Sequence, residues 1–159
     1  MTMDHLIAPI AEHHLADIAA IEWRLFDQPT TASALASLFA NPAFIGFVLN
    51  TDLPPQTRVA GYIFALNDGH GADLVSIGTA PQFQRSGYGL SLLRHLTAAL
   101  HDRGTETLML EVAFDNMAAQ SLYVRAGFSE VAIRPRYYRR AHVVVDAVVM
   151  RLQTRHAVP

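Results

Sequence analysis

The turn that decides the fold reads Gln84-Arg85-Ser86-Gly87-Tyr88-Gly89, and it separates two different hydrophobic patterns. A hydrophobic segment, 74–77, precedes it, and apolar residues at helical spacing follow it, at Leu92, Leu93, Leu96 and Leu100. This order predicts a strand, a glycine turn and a helix that begins at about 87 and ends at Gly104. Amides at the start of a helix bind anions, above all phosphate, although a tight turn without a ligand produces the same Gly-x-Gly pattern.

The composition indicates one globular domain. The chain has 159 residues, of which 51% are hydrophobic, and this suffices for one core but not for two ordinary domains. We expect the domain to span 1–153 and a disordered tail to span 154–159. No apolar run is long enough for a membrane span, and the first residues lack the regions of a signal peptide, so we expect a cytoplasmic protein with no membrane partner.

Two missing residue types exclude several chemistries. The chain has no cysteine, which excludes a disulfide frame, a cysteine nucleophile and a thiolate zinc site. All 12 basic residues are arginine, which excludes a phosphate-loop lysine and a Schiff-base lysine. The eight histidines form no metal-binding motif, so we expect no metal.

Charge is unevenly distributed along the chain. Residues 1–80 carry eight acidic residues and two arginines, whereas residues 81–159 carry six acidic residues and ten arginines. The predicted anion site therefore lies in the basic half, and the acidic half would favour a cationic partner. A scatter of solvated charges accounts for the same numbers.

The rest of the chain predicts alternating strands and helices. We expect strands at 6–10, 44–49, 59–66, 72–79, 107–113, 128–133 and 143–152, and further helices at 11–26, from Ser33 to before Pro42, and up to Ala126. Ser33 is the predicted cap of the second helix, and Asp115 or Asn116 that of the fourth. The order β-α-α-β-β-β-α-β-α-β-β predicts an α/β fold, in which a mixed sheet has helices on both faces.

Three motifs together resemble the signature of the GNAT acyl-CoA N-acyltransferases. They are the run from Ile77 to Gly89, the strand Leu108-Met109-Leu110-Glu111-Val112, and the spacing of Asn116, Ala119, Leu122-Tyr123 and Gly127-Phe128. Within that family the chain is similar, over about 72–152, to the bacterial ribosomal-protein alanine N-acetyltransferases of the RimI type. The resemblance implies the GNAT fold and an enzyme that transfers the acetyl group of acetyl-CoA directly to an amine, within a ternary complex.

The resemblance also implies where acetyl-CoA binds. Its pyrophosphate would lie on the amides from Arg85 to Leu90, and its pantetheine arm would pair with the strand backbone at 77–79 as an added strand does. The expected cofactor-binding residues are Ile77, Gly78, Thr79, Gln84, Arg85, Ser86, Gly87, Tyr88, Gly89, Leu90 and Asn116.

Glu111 and Tyr123 are the expected catalytic residues. Glu111 lies among apolar residues in a predicted strand, where a partly buried carboxylate would suit a general base, although a solvent-exposed glutamate fits the same pattern. For Tyr123 the resemblance implies an acid that protonates the departing thiolate, whereas its apolar neighbours also fit a core aromatic. Asn116 precedes Tyr123 by seven residues, which is two helical turns, so both side chains could reach one cofactor.

The cluster Arg134-Pro135-Arg136-Tyr137-Tyr138-Arg139-Arg140 allows three interpretations. Arginines interleaved with aromatic rings fit an RNA surface, but the sequence favours a solvated connection between two strands, so we expect no nucleic-acid partner. The resemblance implies instead that Tyr137 or Tyr138 lines the channel for the acceptor. RimI-type proteins usually have Pro-Trp-Ser where this chain has Pro29-Thr30-Thr31, so one wall of the acceptor site differs.

The leading hypothesis is therefore an acetyltransferase that acts on the N-terminal α-amine of a protein, such as a ribosomal protein. One alternative is a GNAT enzyme that acetylates a small amine. The other is a non-catalytic module that binds acyl-CoA, and such a module would need neither Glu111 nor Tyr123.

Overall fold

The computed structural model describes residues 6–51 and 58–154. Its elements follow the predicted order and are, along the chain, β1 (Ile7–Pro9), α1 (Leu15–Leu25), α2 (Ala32–Ala40), β2 (Phe44–Thr51), β3 (Arg58–Asn67), β4 (Gly71–Thr79), α3 (Tyr88–Asp102), β5 (Thr107–Ala113), α4 (Met117–Arg125), β6 (Ser129–Arg140) and β7 (Val143–Gln153). Short 3₁₀ turns precede α1 at Glu12–His14 and follow β4 at Pro81–Phe83. The predicted α/β fold is thereby confirmed.

The seven strands form one mixed sheet in the order β1-β2-β3-β4-β5-β7-β6. Every neighbouring pair is antiparallel except β4 and β5, which are parallel and are connected by α3. These two strands pair only between Gly71–Asp73 and Thr107–Met109. The carboxyl end of β4 therefore lies beside β5 without hydrogen bonding to it, which leaves a gap in the middle of the sheet.

A β-bulge in β4 lies at the edge of this gap. Phe64 pairs with Ser76 and Ala65 pairs with Leu74, so Val75 is an extra residue with no partner on β3. A bulge bends its strand and increases the local twist. The bulge therefore occurs where β4 leaves its pairing with β5.

Hydrophobic cores lie on both faces of the sheet, as predicted. On one face, α3 buries four leucines against β2, β3 and β4, namely Leu92, Leu93, Leu96 and Leu100. On the other face, α1 and α2 bury Ile18, Ile21 and Leu35 against Tyr62 and Phe64 of β3. The leucines of α3 recur at helical spacing and form one apolar stripe, so the sequence alone predicts that this face of α3 packs on the sheet.

The cap of α2 differs from the prediction. Thr31, not Ser33, is the capping residue, because its backbone is extended and its Oγ1 accepts a hydrogen bond of 3.2 Å from the Ala34 amide. Ser33 already lies within the helix. Both residues are good cap formers, and sequence alone did not distinguish between them.

The arginine and tyrosine cluster, 134–140, also differs from the prediction. It belongs to β6 and is not a connection, because β6 continues to Arg140 and the turn to β7 is formed by Ala141 and His142. β6 is the edge strand of the sheet and is exposed along nearly all of its length. A strand in this position accepts charged residues without burying them, and such a composition resembles that of a loop.

Two segments after β1 fall outside the described residues. They are 52–57, which includes Pro54 and Pro55, and the predicted tail from 155 onward. Thr154 is described and is buried, with its amide donating to the Glu106 carbonyl at 2.9 Å and its hydroxyl donating to the Thr105 carbonyl. The ordered domain thus extends to at least this residue.

Candidate active site

The glycine turn lies at the carboxyl end of β4, directly before α3. Gly87 has a φ of 80°, and the first main-chain bond of α3 runs from the Ser91 amide to the Gly87 carbonyl at 3.1 Å. The amides of residues 88–90 therefore have no acceptor within the helix. A Cβ built on Gly87 would meet no atom of the described residues within 4 Å. Open space in front of free amides at the positive end of the helix dipole fits a pyrophosphate group.

The second glycine of the turn has a different function from the first. A Cβ on Gly89 would lie 3.2 Å from Cδ2 of Leu122, a residue of α4. Gly89 thus permits the close contact between α3 and α4, because a side chain at this position would meet Leu122 of α4. In the same turn the Gln84 side chain donates to the Thr79 carbonyl at 3.2 Å, which links the turn to the end of β4.

The segment predicted to pair with pantetheine lies at the open edge of β4. Ile77, Gly78 and Thr79 pair with β3 on one side through the register Ile63–Ile77, Tyr62–Gly78 and Gly61–Thr79. On the side of β5, the described sheet has no pairing beyond Asp73 and Met109. Main-chain groups at this edge are therefore available to an added strand or a strand-like ligand.

Glu111 lies on β5 with its side chain directed away from the leucine core. Its neighbours Leu110 and Val112 are buried on the opposite face, whereas its own side chain is 24% exposed. Its Oε1 lies 2.9 Å from a guanidinium nitrogen of Arg134. The carboxylate therefore faces a cleft and already holds a cation there.

Two tyrosines of β6 surround Glu111. The Tyr137 hydroxyl donates to the Glu111 carboxylate, and this bond, with some burial, raises the pKa of Tyr137. The Tyr138 hydroxyl donates to the Glu111 backbone carbonyl at 3.2 Å. Burial, followed by the nearby Glu111 charge, raises the pKa of Tyr138 to about 12. The two predicted substrate-binding residues and the predicted base thus lie in one cluster.

Tyr123 lies on α4 and packs in the same core as Leu110 and Val112, on the face of β5 opposite to the Glu111 side chain. It is buried, and its ring meets Phe128 edge to face at 5.8 Å. Burial is the main cause that raises the pKa of its phenol to about 12, and the charge of Tyr138 contributes further. Tyr123 packs in the core, as its neighbours suggested, and its hydroxyl is close enough to interact electrostatically with the Glu111 cluster through Tyr138.

Asn116 lies at the start of α4, outside the helix itself. Its Oδ1 accepts a hydrogen bond of 3.2 Å from the Ala119 amide, so Asn116 is the helix cap that the sequence predicted as one of two alternatives. Because Oδ1 is engaged in this bond, any contact of Asn116 with a cofactor would come from its amide nitrogen.

A cleft of about 460 Å³ lies at the Glu111 cluster, and Tyr123, Asn116 and the glycine turn are not among its lining residues. Its walls come from β4, β5, β6 and β7, and they include Asp73, Val75, Met109, Glu111, Arg134 and Tyr138. The cleft lies beside the gap between β4 and β5, where the sheet is unpaired. An acceptor in the cleft would therefore meet a thioester that runs along the open edge of β4.

Sequence reasoning missed two features of this site. It did not pair Arg134 with Glu111, because the two residues lie on strands whose contact depends on β7 between them. It also did not find the bulge at Val75, which has no glycine or proline to mark it. The exposure of alternate residues in β5 was the only signal for the Glu111 face.

Two further features concern the described residues, 6–51 and 58–154: groups that could bind a metal ion and helices that could cross a membrane. Among these residues, no three or more histidine, aspartate or glutamate side chains lie together in a way that could hold a metal ion. No helix in this part of the chain has both the length and the apolar character that a membrane crossing requires.

The family comparison agrees with this geometry. The acetyltransferase (GNAT) family matches residues 9–128, which include the glycine turn, Glu111 and Tyr123. The chain belongs to the GNAT acetyltransferase family and is an acetyl-CoA dependent N-acetyltransferase.

Within the family, the chain is similar to one bacterial group. The [ribosomal protein bS18]-alanine N-acetyltransferase of Salmonella typhimurium is 41% identical over 104 residues, which are 65% of this chain and 70% of that protein. The crystal structure of the ribosomal-protein-S18-alanine N-acetyltransferase from Escherichia coli superposes with a TM-score of 0.86 at 32% identity, covering 95% of this chain and 94% of the other. The resemblance to the RimI type is thus confirmed.

A more distant structure shares the fold. Arabidopsis thaliana NAA60, solved in complex with acetyl-CoA, superposes with a TM-score of 0.83 at 14% identity, covering 92% of this chain and 97% of that one. Acetyl-CoA is the acetyl donor throughout the family and is the cosubstrate of this enzyme. The open glycine turn and the unpaired edge of β4 fit this molecule.

Proposed function

We propose that the enzyme acetylates the N-terminal α-amine of a protein, and that a ribosomal protein is its acceptor. The observation that carries the proposal is the Glu111 carboxylate, which faces the cleft and holds a cation at 2.9 Å. An α-ammonium group arriving in the cleft would take the same kind of contact. Similarity to the bacterial ribosomal-protein alanine acetyltransferases supports this acceptor class, and it also supports a cytoplasmic location.

The chemistry of the amine favours an N-terminus over a lysine. Only the neutral amine attacks a thioester. With reference pKa values of about 7.7 to 8.0 for an α-amine and about 10.4 for lysine, deprotonation near pH 7.4 costs roughly 0.4 to 0.8 kcal/mol for the former and about 4 kcal/mol for the latter. An α-amine is therefore the easier nucleophile by more than about 3 kcal/mol.

In this proposal Glu111 receives the proton of the attacking amine. Tyr137 donates to its carboxylate, and Tyr138 holds its backbone carbonyl, so the base is fixed from two directions. The acceptor amine takes over the place of the Arg134 guanidinium at the carboxylate. Attack is direct, because the chain has no cysteine to carry an acetyl group.

Tyr123 stabilises the departing thiolate in this proposal. Its pKa of about 12 keeps the hydroxyl protonated at every physiological pH, so it is always able to donate. A thiol has a reference pKa of about 8.5, so complete proton transfer from a phenol of this kind would be uphill. Tyr123 therefore acts chiefly as a hydrogen-bond donor to the developing negative charge.

Acetyl-CoA supplies an activated acetyl thioester, and the chain supplies its binding site. The free amides at 88–90 would hold the pyrophosphate, with Arg85 and Ser86 beside it. The open edge at 77–79 would align the pantetheine arm, and Gln84 would hold the turn against that edge through Thr79. Asn116 would contribute its amide nitrogen.

The test uses three acceptors with acetyl-CoA and mass-spectrometric detection. They are a peptide with a free N-terminal alanine and an internal lysine, the same peptide with a blocked N-terminus, and spermidine. We expect acetylation of the free α-amine only. We expect Glu111→Gln to lower kcat/KM, most strongly at low pH where neutral amine is scarce, whereas Glu130→Gln, which changes an exposed glutamate of β6, should have no effect.

A small amine is the second candidate acceptor. Asp73 and Glu111 both line the cleft, and two carboxylates would attract a polycation. Acetylation of spermidine at a rate above that of the free peptide would favour this candidate. Reaction of the blocked peptide at its lysine, at the rate of the free peptide, would contradict the proposed α-amine specificity.

A further inference from the structure

A second carboxylate is buried beside the site, and the proposed chemistry does not use it. Glu22 of α1 is only 2% exposed. Its Oε1 accepts hydrogen bonds from the Tyr62 hydroxyl at 2.6 Å and from the Ser76 hydroxyl at 2.5 Å. Its Oε2 accepts a hydrogen bond from the Thr30 amide at 3.0 Å.

These three hydrogen bonds are what compensates the burial of Glu22. A buried carboxylate loses its hydration, and the loss is large unless donors or a cation replace the water. Among the described residues, no arginine or histidine lies within ion-pair distance of Glu22. The hydroxyls of β3 and β4 and the amide of Thr30 therefore replace the solvent.

The two oxygens of Glu22 bind two different parts of the protein. Oε1 holds the sheet, through Tyr62 on β3 and Ser76 on β4. Oε2 holds the segment between α1 and α2, through Thr30. Glu22 is thus a bridge between that segment and the sheet, and its sheet side can be removed on its own by replacing the two hydroxyl residues.

The bridge lies next to a wall of the cleft and to the edge of β4. Ser76 directly follows Val75, a wall of the cleft, and precedes the 77–79 edge. A Cβ built on Gly78 would lie 2.7 Å from the Tyr62 hydroxyl and 2.9 Å from Cδ1 of Leu25, the last residue of α1. The end of α1, Tyr62 and β4 are therefore packed without space between them at this point.

We propose that Glu22 is a positioning residue, which ties the segment Pro29-Thr30-Thr31 to β4 and thereby fixes the wall of the acceptor cleft at Val75, next to Ser76. The proposal rests on the acceptor binding in the cleft beside β4. Glu22 does not touch the reacting atoms. Its effect is on the position of Thr30 and of Ser76, the residue that connects the cleft wall to the strand edge.

The experiment compares three variants of the full chain. Glu22→Ala removes both sides of the bridge. Glu22→Gln can keep it, because its oxygen can accept from the Thr30 amide while its NH₂ group donates to a hydroxyl. Asp17→Asn is the matched control, since it changes an exposed carboxylate of the same helix.

Two quantities are measured for each variant. The first is hydrogen exchange at the Thr30 amide, followed by NMR, which needs no acceptor. The second is steady-state kinetics with the acceptor, together with acetyl-CoA affinity by calorimetry. For Glu22→Ala we expect faster Thr30 exchange and an acceptor KM raised by about 10-fold to 100-fold, the factor that a hydrogen bond to a charged group contributes. We expect kcat and acetyl-CoA affinity to change by less than about threefold, a much smaller factor than the hydrogen bond provides.

The control variants decide between positioning and other functions. Glu22→Gln should restore both Thr30 protection and acceptor KM, and Asp17→Asn should match the parent. An unchanged acceptor KM in Glu22→Ala, despite loss of Thr30 protection, would overturn the proposal. A Glu22→Gln enzyme as impaired as Glu22→Ala would also overturn it, because it would assign the effect to the charge.

A second variant covers the case in which Glu22→Ala does not fold. Tyr62→Phe combined with Ser76→Ala removes both sheet-side donors while leaving the Thr30 bond, and it should raise acceptor KM in the same direction. A KM equal to that of the parent would contradict the proposal. If no amine acceptor reacts with the parent enzyme, the proposed function fails, whereas Thr30 exchange still reports whether Glu22 holds the segment.

Discussion

At the residue scale, Arg134 shows how the free enzyme holds Glu111, the proposed base. Its guanidinium lies 2.9 Å from Glu111 and 5.7 Å from the centroid of the Tyr137 ring. The arginine is 58% exposed, so the pair contributes little to stability, at most about 1 kcal/mol. In the proposed function, an acceptor amine displaces this guanidinium at small cost, and the Tyr137 hydroxyl still donates to Glu111.

Replacement of Tyr123 by phenylalanine tests its hydroxyl. Because the ring remains and Tyr123 is buried, packing against Phe128 should persist and Tm should change little. Without the donor, we expect kcat to fall by about 10²-fold to 10³-fold, as occurs when one donor to a developing anion is removed. Acetyl-CoA affinity should stay the same. Stopped-flow or steady-state kinetics would measure this, and a fully active variant would leave Tyr123 as a packing residue only.

At the element scale, two helix caps form a matched pair. Asn116 caps α4 and Thr31 caps α2, each by a 3.2 Å bond to the amide three residues on. We expect Asn116→Ala and Thr31→Ala each to lower the free energy of unfolding by about 1 kcal/mol. Urea denaturation would measure this loss. Only Asn116→Ala should weaken acetyl-CoA binding in calorimetry, and equal binding by both variants would remove Asn116 from the cofactor site.

The two glycines at the start of α3 should respond differently to substitution. Gly87→Ala places a side chain at a φ of 80° and into the open space before the helix, so we expect weaker acetyl-CoA binding with about 1 to 2 kcal/mol of strain. Gly89→Ala crowds Leu122, so its main effect should be on stability. In a double-mutant cycle, Gly89→Ala should cost less stability in a Leu122→Ala background than in the parent enzyme. Unchanged calorimetric affinity in Gly87→Ala would move the pyrophosphate site elsewhere.

At the scale of the whole molecule, buried tyrosines should determine stability at high pH. Burial raises the pKa of Tyr123 and Tyr138 to about 12, and burial with the Glu22 charge raises that of Tyr62 further. Unfolded tyrosines ionise near pH 10, so between about pH 10 and 12 the unfolded chain has lost protons that the folded chain keeps. Stability is therefore unaffected below about pH 10 and falls as pH rises above it.

This chain is well suited to that measurement, because it has no lysine or cysteine to titrate in the same range. We expect the urea midpoint to be constant between about pH 8 and 9 and to decrease steadily above about pH 10. Tyr62→Phe should make the decrease shallower, since one of the raised groups is then absent. A midpoint that is constant up to pH 11 would contradict the assignment.

Much of the fold was predictable, because its signals are local. The order of strands and helices, the glycine turn before α3 and the helix stop at Gly104 all came from periodicity and from residues with special backbone freedom. β6 was predicted too short because an exposed edge strand can carry Arg136, Arg139 and Arg140 without cost. Nothing local distinguishes such a strand from a loop.

The sequence by itself determined the family and the cosubstrate, because contiguous motifs specify the glycine turn and the strand that carries Glu111. Only the tertiary structure decided which side chains meet. Arg134 reaches Glu111 across β7, and Tyr123 packs on the opposite face of β5 with Leu110 and Val112. The sequence pattern did not indicate that Glu22 connects Thr30 and Ser76. The function of a buried carboxylate depends on its hydrogen-bond donors, and the hydroxyl donors of Glu22 lie on strands far from it along the chain.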